Sequence, residues 1–176
     1  MNNFEFTILN FIRENLTHPI LDIVMKFITF FANGGWFWIL LGVTMLFFKK
    51  TRKIGITLCL ALLINLIICN LTLKPLVART RPYALQEGIS LIIKTPSDFS
   101  FPSGHASASF TGAFSVFAYN KKYGAFALVF ASLIALSRLY LFVHYPTDIL
   151  GGIAVGAVCA TASFYLVTHF WKKYAK

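Results

Sequence analysis

Charge is what this sequence has least of. Only 12% of its 176 residues are Asp, Glu, Lys or Arg, and just six of them are acidic. A soluble domain carries about 25% charged residues. An ordinary water-facing surface is therefore excluded, and the 57% hydrophobic content and mean hydropathy of +0.71 point to a membrane protein. Cysteine is scarce as well. Cys59, Cys69 and Cys159 are odd in number, lie inside apolar runs and lack metal-ligand spacing, so they read as small apolar packers. The sequence also lacks linkers, low-complexity tracts and internal repeats, which makes residues 1–176 one expected domain. The N-terminus has no basic region followed by an apolar core and a small-residue cleavage site, so no cleaved signal peptide is expected. The net charge of +10 does not indicate nucleic acid, because the basic residues fall in short clusters between apolar runs.

Long apolar runs fill what remains. A spanning helix needs ~20 apolar residues. Segments 54–73, 123–142 and 147–170 meet that length. Segment 104–119 is shorter and rich in small residues, as suits a helix packed inside a bundle. From Pro19 to Phe48 the apolar run is broken by Asn33-Gly34-Gly35, which predicts two short helices, 19–32 and 36–48. The expected fold is thus all-α: a bundle of six transmembrane helices. Ahead of them, Phe4, Ile8, Phe11 and Ile12 share helical spacing over residues 3–16 and predict an amphipathic helix in the membrane interface. Asp22 and Lys26, one turn apart, are an expected structural ion pair.

Lys and Arg collect in short cytoplasmic loops. With six spans, the clusters Lys49–Lys53, Lys121-Lys122 and Lys172-Lys173 fall on one side with both termini. That side is expected to be cytoplasmic, in a plasma membrane. The outer side then receives Lys74, Arg81, Ser103, Gly104, His105, Arg138, His144 and Asp148. Cations there break the positive-inside bias, and a bound anion would offset them. Ser103 suits the N-cap of a helix whose free N–H groups attract anions, and Gly104 allows close approach to its backbone. Lys74, Arg81 and Arg138 could add charge-assisted hydrogen bonds, for which a phosphoryl group has enough acceptors. His144 and Asp148 are four residues apart. Asp148 could fix the tautomer of His144 and free its other nitrogen to attack phosphorus, while His105 protonates the leaving oxygen.

Three ordered blocks carry a further likeness. Lys74…Arg81-Pro82, Pro102-Ser103-Gly104-His105 and Ser137-Arg138…His144…Asp148 match K-x6-R-P, P-S-G-H and S-R-x5-H-x3-D at every position. The chain therefore resembles the type 2 phosphatidic acid phosphatase superfamily, which includes the vanadium haloperoxidases. The resemblance implies a nucleophilic His144 oriented by Asp148, with His105 as acid. It implies phosphate binding by Lys74, Arg81, Arg138, Ser103 and the Gly104 backbone, and no metal or other cofactor. It also implies a lipid phosphate reaching the site at the outer membrane surface. The short chain looks like the small bacterial branch, which dephosphorylates undecaprenyl diphosphate or phosphatidylglycerol phosphate.

Rival readings stay open at this point. The histidines could be interface residues, or bind zinc with Asp148. The chain could bind and move a lipid phosphate without cleaving it. Arg79, outside the three blocks, could touch a diphosphate or face headgroups. The segment Ile89–Ile93 is expected to pack on the bundle, and Gly151, Gly152 and Gly156 to permit close helix packing.

Overall fold

The structure, a computed structural model, describes residues 3–174. Among them there is no β-strand, and helices account for every long element. In chain order these are α1 (Asn3–Leu16), α2 (Pro19–Phe30), α3 (Trp36–Leu46), α4 (Arg52–Asn65), the single turn α5 (Lys74–Val77), α6 (Gly104–Tyr119), α7 (Lys121–Tyr140) and α8 (Pro146–Tyr174). Local chemistry sets the boundaries. Asn33–Gly35 forms a 3₁₀ turn in which Gly34 (φ 60°) and Gly35 (φ 70°) take left-handed backbone, and this separates α2 from α3. Ser103 caps α6 by accepting from the Ala106 N–H, and Asn120 caps α7 by accepting from Tyr123. Between α4 and α5, Leu66–Leu73 winds as a π-helix, a form that often marks functional positions.

α6 lies at the centre, packed against α7 and α8. The α6–α8 seam is close because glycine leaves room. A Cβ on Gly156 would stand 2.9 Å from both the Ser107 carbonyl oxygen and the Thr111 nitrogen of α6. Trp38 of α3 fills the other side of α6, with its Nε1–H donating to Ser109 Oγ at 3.1 Å. The outer surfaces stay apolar: Phe27, Leu71, Leu76, Phe126, Val158 and Tyr165 are each more than 60% exposed. Such a belt is untenable in water and natural in lipid.

Four segments among the described residues are long and apolar enough to cross a membrane: Pro19–Leu46, Arg52–Ala84, Lys121–Tyr140 and Pro146–Lys173. The expected six spans differ from this in two places. α6 has only 16 residues. The expected pair 19–32 and 36–48 falls within one candidate span, Pro19–Leu46, which the Asn33–Gly35 turn divides. Asp22 accepts from the Tyr140 hydroxyl (2.6 Å), and Thr29 accepts from Arg138 (2.6 Å), so both ends of α2 are tied to the last turn of α7. Asp22 thereby has a different partner from the expected Lys26, whose side chain borders the central cavity.

The chain ends also depart from expectation. Glu5 of α1 accepts from the backbone and hydroxyl of Thr147, in the first turn of α8. The 29 residues of α8 then run about 43 Å away from that point. The two ends of the described chain thus lie at opposite ends of the bundle, not on one face. The cause is a specific polar attachment of α1, which a hydropathy count does not register. α1 buries Leu9 and Glu5 against the bundle and leaves Phe4 and Phe11 exposed. Ile89 and Leu91 pack around Leu9, Phe142 and Tyr145, so the long connection before α6 lies on the bundle as expected.

Candidate active site

A cavity of about 1110 Å³ opens between α2, α3, the α4–π segment and the start of α6. Lys74, Arg81, Gly104, His105, Arg138 and His144 all line it. Residues distant in sequence meet here because each sits at an element end. Lys74 follows the π-helix, Gly104 and His105 open α6, Arg138 closes α7, and His144 lies in the turn into α8. Asp148 sits behind His144, fully buried. Ser103 is also fully buried and does not line the cavity. Its Oγ caps α6, and its N–H donates to the Asp148 carbonyl (3.0 Å).

The charge balance is one-sided. Five cations (Lys26, Lys74, Arg81, Lys94 and Arg138) line the cavity, against one carboxylate, Asp98. Lys74, Arg81 and Arg138 are no more than 5% exposed. Burying cations costs several kcal/mol each unless they are paired. Asp98 pairs with both Lys74 and Arg81, the latter through Nη2 at 2.6 Å. Burial opposes ionisation of Asp98, yet the bonds from Lys74 and Arg81 outweigh it and hold its carboxyl below the usual range. Arg138 donates from Nη1 to Thr29, and its buried Nε has no hydrogen-bond partner among the described residues. An anion in the cavity would satisfy that donor.

His144 is held from two sides. Its Nδ1 lies 3.3 Å from Asp148 Oδ2, and its Nε2 lies 3.1 Å from Arg81 Nη1. A guanidinium only donates, so Nε2 must accept and the ring proton resides on Nδ1, facing Asp148. This tautomer leaves the Nε2 lone pair on the cavity side. Burial, reinforced by Arg81 and Arg138 and opposed by Asp148, lowers the His144 pKa to about 3. The imidazole is therefore neutral at pH 7, as a nucleophile must be. His105 presents Nε2 to Asn33 Oδ1 at 2.9 Å.

Several partners escape a reading of the sequence. Asn33 holds His105, Asp98 occupies the cation cradle, and Ser100 donates to Asp148 Oδ2. Asn33 carried a signal only as a helix breaker. Asp98 was the one acid in the long outer segment beyond Glu87. Arg79 does not line this cavity. It bonds Asp148 (2.6 Å) and Glu5 (2.6 Å). Among the described residues, no three His, Cys, Asp or Glu side chains gather where a metal ion could be held.

The family profile described as the PAP2 superfamily matches residues 54–172, which contain every one of the three blocks. This chain belongs to the PAP2 superfamily. Within that superfamily it is 35% identical over 121 residues to an undecaprenyl-diphosphatase of Sulfolobus acidocaldarius, covering 68% of this chain and 58% of that protein. It is 30% identical over 151 residues to undecaprenyl-diphosphatase BcrC of Bacillus subtilis, covering 82% and 75% respectively. The crystal structure of Aquifex aeolicus LpxE superposes with a TM-score of 0.80 at 26% identity, covering 92% of this chain and 95% of that one. The chain thus spans little more than half of the first relative, and nearly all of a solved PAP2-type fold.

Proposed function

We propose that this PAP2 protein is a membrane lipid phosphatase that hydrolyses a lipid phosphate or diphosphate through a phosphohistidine, with undecaprenyl diphosphate as its leading substrate. The observation that carries this reading is the pairing of a neutral, oriented His144 with three buried cations around one cavity. The apolar wall of that cavity, with Ile39, Val43, Leu62 and Leu66, suits a hydrocarbon chain attached to the phosphate. The names of the two relatives support the substrate.

Water is the one co-reactant these steps consume. The His144 Nε2 lone pair forms a bond to the terminal phosphorus as the P–O bond to the lipid phosphate breaks. Arg81 transfers its donor from Nε2 to a phosphoryl oxygen as this begins. Lys74, Arg138 and the N-terminus of α6 at Gly104 stabilise the charge on the equatorial oxygens. His105 gives its proton to the leaving oxygen, then accepts one from the water that cleaves the phosphohistidine. Asp148 stabilises the charged imidazole between the two steps. Ser103 acts by capping α6.

In this reading α3, the α4–π–α5 segment, α6, α7 and α8 cross the membrane, while α1 lies in the interface with Phe4 and Phe11 toward lipid. The basic clusters mark the cytoplasmic end. Lys53 lies over the Tyr119 ring and Lys121 over that of Phe117, at the end of α6 away from His105. The site then opens at the outer face of a plasma membrane.

The test is phosphate release from undecaprenyl diphosphate by detergent-purified protein with chelator present. Release is expected, and His144→Ala should lower it by at least about 10³-fold with the fold retained. Activity that survives in His144→Ala overturns the mechanism. Release from phosphatidylglycerol phosphate alone assigns the alternative substrate. Transfer of lipid phosphate across vesicles with no release assigns a flippase.

A further inference from the structure

We infer that Arg79 and Glu5 are positioning residues for the nucleophile: α1 reaches across the bundle and sets the carboxylate that orients His144. The inference rests on the phosphatase reading above and deepens it. Neither residue belongs to the three blocks, and neither lines the cavity.

Asp148 has two oxygens with different duties. Oδ2 faces the imidazole and also accepts from Ser100 Oγ and the Tyr145 N–H (2.9 Å). Oδ1 accepts from Arg79 Nη1 at 2.6 Å. Asp148 is fully buried, so losing this donor leaves one side of a buried anion with a weaker set of partners and free to rotate.

Arg79 is itself held on three sides. Nη1 also donates to Thr147 Oγ1 (2.7 Å), and Nη2 donates to Glu5 Oε2 (2.6 Å). The guanidinium lies 3.8 Å from the centre of the Tyr145 ring. Glu5 is 6% exposed, and its second oxygen accepts from the Thr147 hydroxyl (2.6 Å) and N–H (3.3 Å). It thus sits at the α8 N-terminus, where the helix dipole favours an anion. Two acids share one guanidinium. Glu5 draws part of Arg79's charge away from Asp148, so Asp148 keeps its negative potential at Nδ1. That potential is needed when the phosphorylated imidazole becomes cationic.

The chain of contacts predicts a loss confined to the chemical step. Arg79→Ala and the near-isosteric Glu5→Gln, in full-length protein, are assayed for kcat and KM on undecaprenyl diphosphate and for inhibition by inorganic phosphate. The expected result is a kcat lowered at least tenfold in Arg79→Ala and severalfold in Glu5→Gln. KM and the phosphate inhibition constant should stay within about twofold, and Arg79→Lys should restore part of kcat. Unchanged kcat in both variants overturns the inference, and so does an effect confined to KM, which would make Arg79 a substrate contact. If Arg79→Ala fails to fold, Glu5→Gln and Arg79→Lys decide alone. A wild-type protein that releases no phosphate from any lipid sinks the phosphatase reading and this inference together. Loss in His144→Ala with full activity in all three variants sinks the inference only.

Discussion

Asp98 holds Lys74 and Arg81 with one carboxylate, in the place where a phosphoryl group would make the same bonds. In the proposed mechanism a substrate phosphate must take those cations over or share them. Asp98→Asn keeps the shape and removes the charge. We expect inorganic phosphate to inhibit this variant about tenfold more tightly, a change of about 1.4 kcal/mol. The same substitution leaves two buried cations less well paired, so the thermal midpoint should fall. Inhibition titrations and thermal unfolding in detergent check the two effects separately. An unchanged inhibition constant would show that Asp98 does not compete with the anion. His144 illustrates the companion principle. Burial keeps it neutral, and Arg81 and Asp148 together dictate which nitrogen is free.

α6 and α8 act as one element in positioning this chemistry. The start of α6 supplies Gly104 and His105, the start of α8 supplies Asp148, and the Ser103 N–H joins them at the Asp148 carbonyl. Their register depends on Gly152 and Gly156. A Cβ at Gly152 would stand 2.8 Å from the Ser103 carbonyl oxygen, and one at Gly156 would meet the α6 backbone at both Ser107 and Thr111. Backbone cannot rotate aside as a side-chain tip can. Gly156→Ala should therefore cost about 1–3 kcal/mol, read as a lower thermal midpoint. Gly152→Ala should also lower activity, because it presses on the turn that carries Ser103. Normal stability in Gly156→Ala would mean that the α6–α8 seam yields to take in the added methyl group.

At the scale of the whole molecule, the basic clusters and the apolar surface support the proposed orientation. The Lys53 and Lys121 end is opposite the cavity, and the exposed Phe, Leu and Val side chains form the belt between. A single cysteine placed at Ser97, beside the cavity, should react with a membrane-impermeant thiol reagent from outside intact cells. One placed at Thr51 should react only after permeabilisation. The native Cys69 and Cys159 are buried, and the half-buried Cys59, which lines the cavity, is replaced by Ser to remove its background. The reverse labelling pattern would turn the site toward the cytoplasm.

Residue types and their order were enough to determine the family and which side chains gather at the candidate site. Lys74, Arg81, His105, Arg138, His144 and Asp148 stand at spacings that helix ends and turns convert into proximity, so their grouping was readable along the chain. The all-helical architecture followed from apolar run lengths for the same reason: in lipid the backbone has few other ways to satisfy itself. Tertiary structure alone decided which partner each group takes. α2 lies against the last turn of α7, Ser103 caps α6 away from the cavity wall, and Glu5 reaches Arg79 across 74 positions. Glu5, on the amphipathic α1, has no periodic signature that marks a role. Its role depends on which cation it meets, and only packing brings Glu5 and Arg79 together.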